Sequence, residues 1–137
     1  MGYCVSQTGS SFFMKAADQE AALYAVKRWV RTRTKISWVD RDIVLSRGDL
    51  AEAFFEFGYV AEVDDDGNIV DIVLDREKWG EERLLFGVIG PWVRVGSYIR
   101  YVDEEGAHFQ VRWSGGRGVV TEYAEIAWPD DESHAQP

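Results

Sequence analysis

The five residues Asp64-Asp65-Asp66-Gly67-Asn68 sit between two runs of β-prone residues, Tyr59–Val63 and Ile69–Leu74. An Asp-Gly step between such runs is the strongest short-range hairpin signal, because glycine reaches the positive φ that a tight reversal demands. It commits the middle of the chain to antiparallel pairing and excludes an all-helical fold. In the second run Val70, Ile72 and Leu74 alternate with Asp71 and Val73, a spacing that predicts one buried face.

A β-meander is expected downstream. Residues 97–102, 108–113 and 119–127 are strands by composition, with turns at 103–106 and 114–118, where glycine and acidic residues cluster. Phe109, Val111 and Trp113 fall on one face of the middle strand. Upstream, residues 11–15 read as a short first strand, and Asp18 as the cap of a helix over 18–31. Ala22, Leu23, Ala25, Val26, Trp29 and Val30 recur there at helical spacing. A second helix is expected to begin at Ser46, with Leu50, Ala53, Phe54 and Phe57 as its apolar stripe and Gly58 as its stop. A third opens at Glu81-Glu82, carries Leu84, Leu85, Val88, Ile89 and Trp92 on its apolar side, and is bent or ended near Gly90 by Pro91. Residues 32–45 read either as a strand or as an ordered loop pinned by Trp38. The expected architecture is α+β: a mostly antiparallel sheet, hairpin plus C-terminal three-strand meander, packed against two or three helices. It forms a single domain over residues 1–128, followed by a disordered acidic tail at 129–137 that holds no core residue.

At 137 residues the chain has the size of one domain and needs no covalent staple. Its single cysteine, Cys4, excludes an internal disulfide and reads as a buried structural thiol. The N-terminus shows no basic region followed by an apolar run, and Met1-Gly2 with Ser6 matches the myristoylation pattern only superficially. No run approaches the roughly 18 apolar residues of a membrane span. A cytoplasmic protein with no membrane partner is expected. The net charge of −9 is divided unevenly: residues 1–47 carry +4 and residues 48–137 carry −13. Overall acidity argues against general nucleic-acid binding.

Chemistry-bearing motifs are few. Aligning Gly67 with the glycine of a calcium loop puts Glu62, Asp64, Asp66 and Asn68 at ligand positions, but Val73 falls where a bidentate glutamate is required. A plain hairpin turn is the better reading. His108, His134 and Cys4 have no metal-ligand spacing, so neither metal nor other cofactor is expected. A Cys4–His108 pair would need the fold to assemble it. Glu122 and Glu125 read as a solvated polar face, and Gly115-Gly116-Arg117-Gly118 as a turn rather than an RNA-binding repeat. Gly87-Val88-Ile89-Gly90 lacks the Gly-Lys-Ser/Thr of a phosphate loop. The strongest positive feature is the stretch 27–38, with five cations within residues 27–35. Its Arg28, Trp29, Arg31, Arg33, Lys35 and Trp38 are the candidate binding residues, since cations beside aromatics suit protein hot spots and nucleic acid alike. The plainer alternative is a helix end with cations matched to its dipole.

Several segments together carry a resemblance. They are Met1-Gly2-Tyr3, Phe12-Phe13-Met14-Lys15 before Glu20-Ala21-Ala22-Leu23, and Ile36-Ser37-Trp38-Val39, then Asp66-Gly67-Asn68-Ile69, Leu85-Phe86, Pro91 and Gly96-Ser97-Tyr98-Ile99. Over about residues 1–125 the pattern resembles small uncharacterised proteins of bacteriophages, prophages and their bacterial hosts. The resemblance implies a phage or mobile-element setting and supplies no activity. The leading functional expectation is a non-enzymatic interaction protein that binds a host or phage protein, such as one it inhibits, through the acidic 97–125 meander or the Trp/Arg region. The alternative is a nucleic-acid-associated protein using the basic segment 27–38. A third reading is an enzyme whose residues meet only in the fold.

Overall fold

The structure, a computed structural model, describes residues 4–32, 39–75, 82–116 and 118–124. Along the chain run β1 (Val5–Ser11), a 3-10 turn (Ala16–Asp18), α1 (Gln19–Thr32), α2 (Arg41–Ser46), α3 (Leu50–Glu56), β2 (Tyr59–Val63) and β3 (Ile69–Leu74). They are followed by α4 (Glu82–Ile89), a second 3-10 turn (Gly90–Trp92), β4 (Tyr98–Asp103), β5 (His108–Gly115) and β6 (Gly118–Ala124). The fold is α+β. Its strands form two antiparallel sheets, one of order β1-β4-β5-β6 and one made by the hairpin β2-β3.

The core lies against one face of the larger sheet. Ile99, Tyr101, Phe109, Val111 and Trp113 point inward and are buried, as period-two alternation requires. Trp113 is the hub. Phe86 of α4 approaches its ring at 5.0 Å and Phe12 meets it edge-on at 5.3 Å. Its indole N–H donates to the Phe86 carbonyl at 2.9 Å, so a large apolar ring is buried without stranding its one donor. α1 packs against α2, α3 and α4 and buries Ala22, Leu23, Val26 and Val30.

The hairpin, meander and α1 lie where the sequence places them, residues 125–127 of the expected last strand lying outside the described residues, and the α3 stripe Leu50, Ala53, Phe54 and Phe57 is buried. Gly58 ends that helix at φ 95°, and Gly67 turns the hairpin at φ 85°. Other expectations are corrected. The first strand occupies Val5–Ser11 rather than 11–15; Phe12 and Met14 leave the ladder to become core side chains, and only Met14 pairs on, with Ile69. β1 is a polar edge strand held by backbone pairing to β4, so it shows no apolar alternation. Asp18 lies in the 3-10 turn that leads into α1. Ser46 closes α2 instead of opening a helix: Asp40 caps α2 through the N–H groups of Asp42 and Ile43, and Asp49 caps α3 through that of Glu52. The ambiguous segment 32–45 is thus helical at its C-terminal end, from Arg41 on, while residues 33–38 lie outside the described residues. In α4 the buried stripe is Glu82, Leu85, Phe86 and Ile89, an i, i+3, i+4, i+7 set, and Leu84 is exposed. The expected alternation of β3 is broken by a bulge opposite Glu62 and Val63, which makes Val70 the extra residue. Ile69 and Ile72 are therefore buried while Val70 is exposed.

Candidate functional site

The hairpin has two outer edges. That of β3 is satisfied: Met14 and Ile69 exchange both backbone hydrogen bonds at 2.9 Å, and the Gln7 side chain covers the next stretch. Gln7 Nε2 donates to the Ile72 carbonyl at 3.1 Å, and its Oε1 accepts the Leu74 N–H at 2.7 Å. These are the two groups that one residue of a parallel neighbouring strand would engage, so a carboxamide stands in for a strand. Ser10 Oγ completes the strap by donating to Asp71 Oδ1 at 2.7 Å. Thr8 bulges out of the β1–β4 register beside Gln7.

The edge of β2 has no strand beside it among the described residues. Asp75 N–H donates to the Gly58 carbonyl, and in an antiparallel pair the bonded residues alternate. The N–H and C=O of Ala61 are therefore turned away from β3. Along this edge, between β2 and α3, runs an open groove of ≈ 490 Å³ lined by Arg47, Asp49, Ala51, Glu52, Phe55, Glu56, Val60 and Ala61. Val60 and Ala61 project to opposite faces of the strand, so a groove that touches both follows the edge itself. Phe55 is 57% exposed, Val60 41% and Val63, further along the strand, 51%. Phe55 is absent from the buried stripe of α3 because it lies off the i, i+3, i+4 spacing of its neighbours.

The groove's surroundings are acidic. From Arg47 to Asp66 the chain carries one basic side chain against seven acidic ones: Asp49, Glu52, Glu56, Glu62, Asp64, Asp65 and Asp66. Arg47 is held by Glu56 at 2.6 Å. Asp64 is occupied by the turn, accepting the Asp66 and Asn68 N–H groups and the Asn68 side chain. The Asn68 hydrogen bond, with the backbone donors behind it, holds the Asp64 carboxyl below its ordinary value. The hairpin turn, rather than a calcium loop, accounts for this carboxylate.

Of the candidate residues read from the sequence, the structure brings Arg28 and Trp29 together. They line a cleft of ≈ 270 Å³ with Ala25, Thr32 and Val88. Trp29 is half-buried and stacks on Phe57 at 6.0 Å, so its ring belongs largely to the helix packing. Arg28 and Arg31 are exposed. Lys27 donates to the Arg47 carbonyl at 2.6 Å. Arg33, Lys35 and Trp38 lie outside the described residues. Cys4 is half-buried rather than buried, and its backbone N–H donates to Glu104 Oε1. His108 stands across from Val102 and Ala124.

Two of the meander's acids, Asp103 and Glu122, are engaged within it. On the sheet's outer face Arg100 Nε donates to Gln110 Oε1 at 2.9 Å, and Gln110 Nε2 to Glu122 Oε1 at 2.6 Å. Arg112 grips both oxygens of Glu122 at 3.0 Å. The Arg112 hydrogen bonds, then that from Gln110, hold the Glu122 carboxyl at about 2. Asp103 Oδ1 accepts the Glu105 and Ala107 N–H groups in the β4–β5 turn. Glu125 lies outside the described residues.

One polar cluster is invisible in the sequence. Tyr59 of β2 and Tyr101 of β4 share a hydrogen bond of 2.6 Å between their hydroxyls, and Tyr59 also hydrogen-bonds Glu82. All three residues are fully buried. Burial, reinforced by the Glu82 charge, keeps both phenols well above the ordinary tyrosine value. They are neutral at physiological pH and tie the hairpin, α4 and the larger sheet together. None of the four described clefts is lined by any of them.

Comparison with protein-family models, with curated proteins and with solved structures returns no match. Among the described residues no helix is long and apolar enough to cross a membrane.

Proposed function

We propose that this chain is a non-enzymatic protein-binding module of the cytoplasm, which engages a host or phage protein through the groove between α3 and β2. The phage or mobile-element setting rests on the resemblance described above. The observation that carries the reading is the exposure of Phe55 beside Val60 at a strand edge with no strand beside it among the described residues. Large apolar side chains gathered at one exposed place mark interaction sites, and an aromatic at the centre of such a patch is the usual energetic anchor. The test uses the tagged chain on lysate treated with nuclease. A protein retained by the wild type and by Arg28→Glu, but lost with Phe55→Glu, supports the groove. Retention by Phe55→Glu rules it out.

A second reading keeps the basic segment. Arg28 and Arg31 are exposed at the end of α1, next to the Trp29 cleft, and with Arg33 and Lys35 they offer cations to nucleic acid. That reading requires binding that weakens steeply with salt and is abolished by Arg28→Glu/Arg31→Glu. Equal binding by that double variant removes it.

A further inference from the structure

The geometry points to a specific occupant for the groove: an extended, basic segment of a partner protein, added as a third strand to β2. The inference rests on the protein-binding reading above and sharpens it. Three independent features converge. First, the backbone is poised, since Ala61 turns its N–H and C=O away from β3 and β2 has no other strand beside it among the described residues. Second, the hairpin admits addition on one side only, because Gln7 and Met14 occupy the β3 edge. Third, the side chains select the sequence of the guest. Phe55 and Val60 offer apolar contact to an added strand. Glu62 lies on the same face of β2 as Val60, Glu52 of α3 lines the groove, and the surrounding stretch, Arg47 to Asp66, carries a net charge of −6. An extended segment that carries both apolar and Lys/Arg side chains satisfies all three. An acidic segment would set like charges side by side. An α-helix would leave the edge N–H and C=O groups without partners.

The test titrates an end-blocked octapeptide of alternating valine and lysine into the 15N-labelled full chain. Alternating valine and glutamate, and a valine–lysine peptide N-methylated along its backbone, serve as comparisons. The expected result is amide shifts centred on Ala61 and slowed exchange of its N–H. Both comparison peptides should bind at least tenfold more weakly, and raising the salt should weaken the valine–lysine complex. Ala61→Pro, which deletes an outward donor at an edge where proline is tolerated, should lower affinity at least tenfold; Val60→Lys, a substitution at an exposed side chain, should do the same by removing apolar contact and placing positive charge beside a basic guest. Equal binding of the N-methylated peptide, or shifts centred on Arg28 and Trp29, overturns strand addition. Should a partner isolated with the tagged chain depend on Phe55 yet bind Ala61→Pro like wild type, strand addition fails while the groove reading stands. Should Phe55→Glu also leave that partner bound, both fail.

Discussion

The two strands of the hairpin are equal in length to within a residue, yet their outer edges meet different surroundings. β3 is stapled to the rest of the molecule by Met14 and by the Gln7 carboxamide, and its bulge buries Ile69 and Ile72 together. β2 buries Tyr59 at its start and then runs outward, with Val60, Glu62 and Val63 exposed. The closed side uses backbone and side-chain groups for cohesion, whereas the open side leaves the same kinds of group available to another molecule. If the proposed groove binds a partner, stability and recognition are separable in this hairpin, and substitutions on the two sides should report on different properties.

The largest effect is expected deep on the closed side. Trp113→Ala removes the hub of the aromatic cluster and should cost about 3–5 kcal/mol in chemical denaturation. Next comes the staple. Gln7→Leu leaves the Leu74 N–H and the Ile72 carbonyl without that partner and should cost about 2 kcal/mol, with hydrogen exchange at Leu74 accelerated more than at Ala61. If both amides respond equally, the two edges are not distinct.

Tyr101→Phe should cost about 1 kcal/mol, because the Tyr59 hydroxyl loses one partner. It also has a pH signature. Both phenols titrate above the ordinary tyrosine value of 10 in the folded chain. The folded state thus holds protons that the unfolded state releases, so stability is full below pH 10 and falls as pH rises beyond it. With one buried phenol removed, the alkaline slope should fall by about half. Glu122 behaves in the opposite sense. Its carboxyl is lowered from 4.5 to about 2, so its contribution is present above pH 4.5 and disappears as pH drops toward 2. Carboxyl NMR titration should find the depressed value in the wild type and a return toward the ordinary one in Arg112→Met. The smallest stability effect belongs to the open side: Phe55→Glu should change unfolding free energy by no more than about 0.5 kcal/mol while removing partner binding.

Much of this framework is legible in the sequence where local signals and packing agree. Asp66-Gly67, the Leu50/Ala53/Phe54/Phe57 stripe and the alternation of Phe109, Val111 and Trp113 each encode an element whose burial follows its period. Legibility fails where a long-range contact decides. β1 is polar and becomes a strand only because β4, over ninety residues later, pairs with it. α2 is a single short helix started by Asp40, too brief for periodicity to register. The bulge at Val70 overrides alternation from the facing strand. The Tyr59–Tyr101–Glu82 cluster joins three distant segments and has no spacing to find. Of the groove, one sign was available: Phe55 is a large apolar residue off the buried stripe of its own helix. Trp29 illustrates the converse, an aromatic among cations whose ring is committed to Phe57.

The β2 edge, which has no strand beside it among the described residues, also bears on how the chain behaves when concentrated. A strand with spare N–H and C=O groups is a template for another copy of itself, and neighbouring charge is the common safeguard against such polymerisation. Glu62 and the Asp64–Asp66 turn place negative charge along that edge. Asp64 keeps its charge below the ordinary aspartate range, so it is a late barrier to fall as solutions are acidified. Where that charge is removed, the first aggregates should therefore grow from the hairpin, with the Trp113 core still folded.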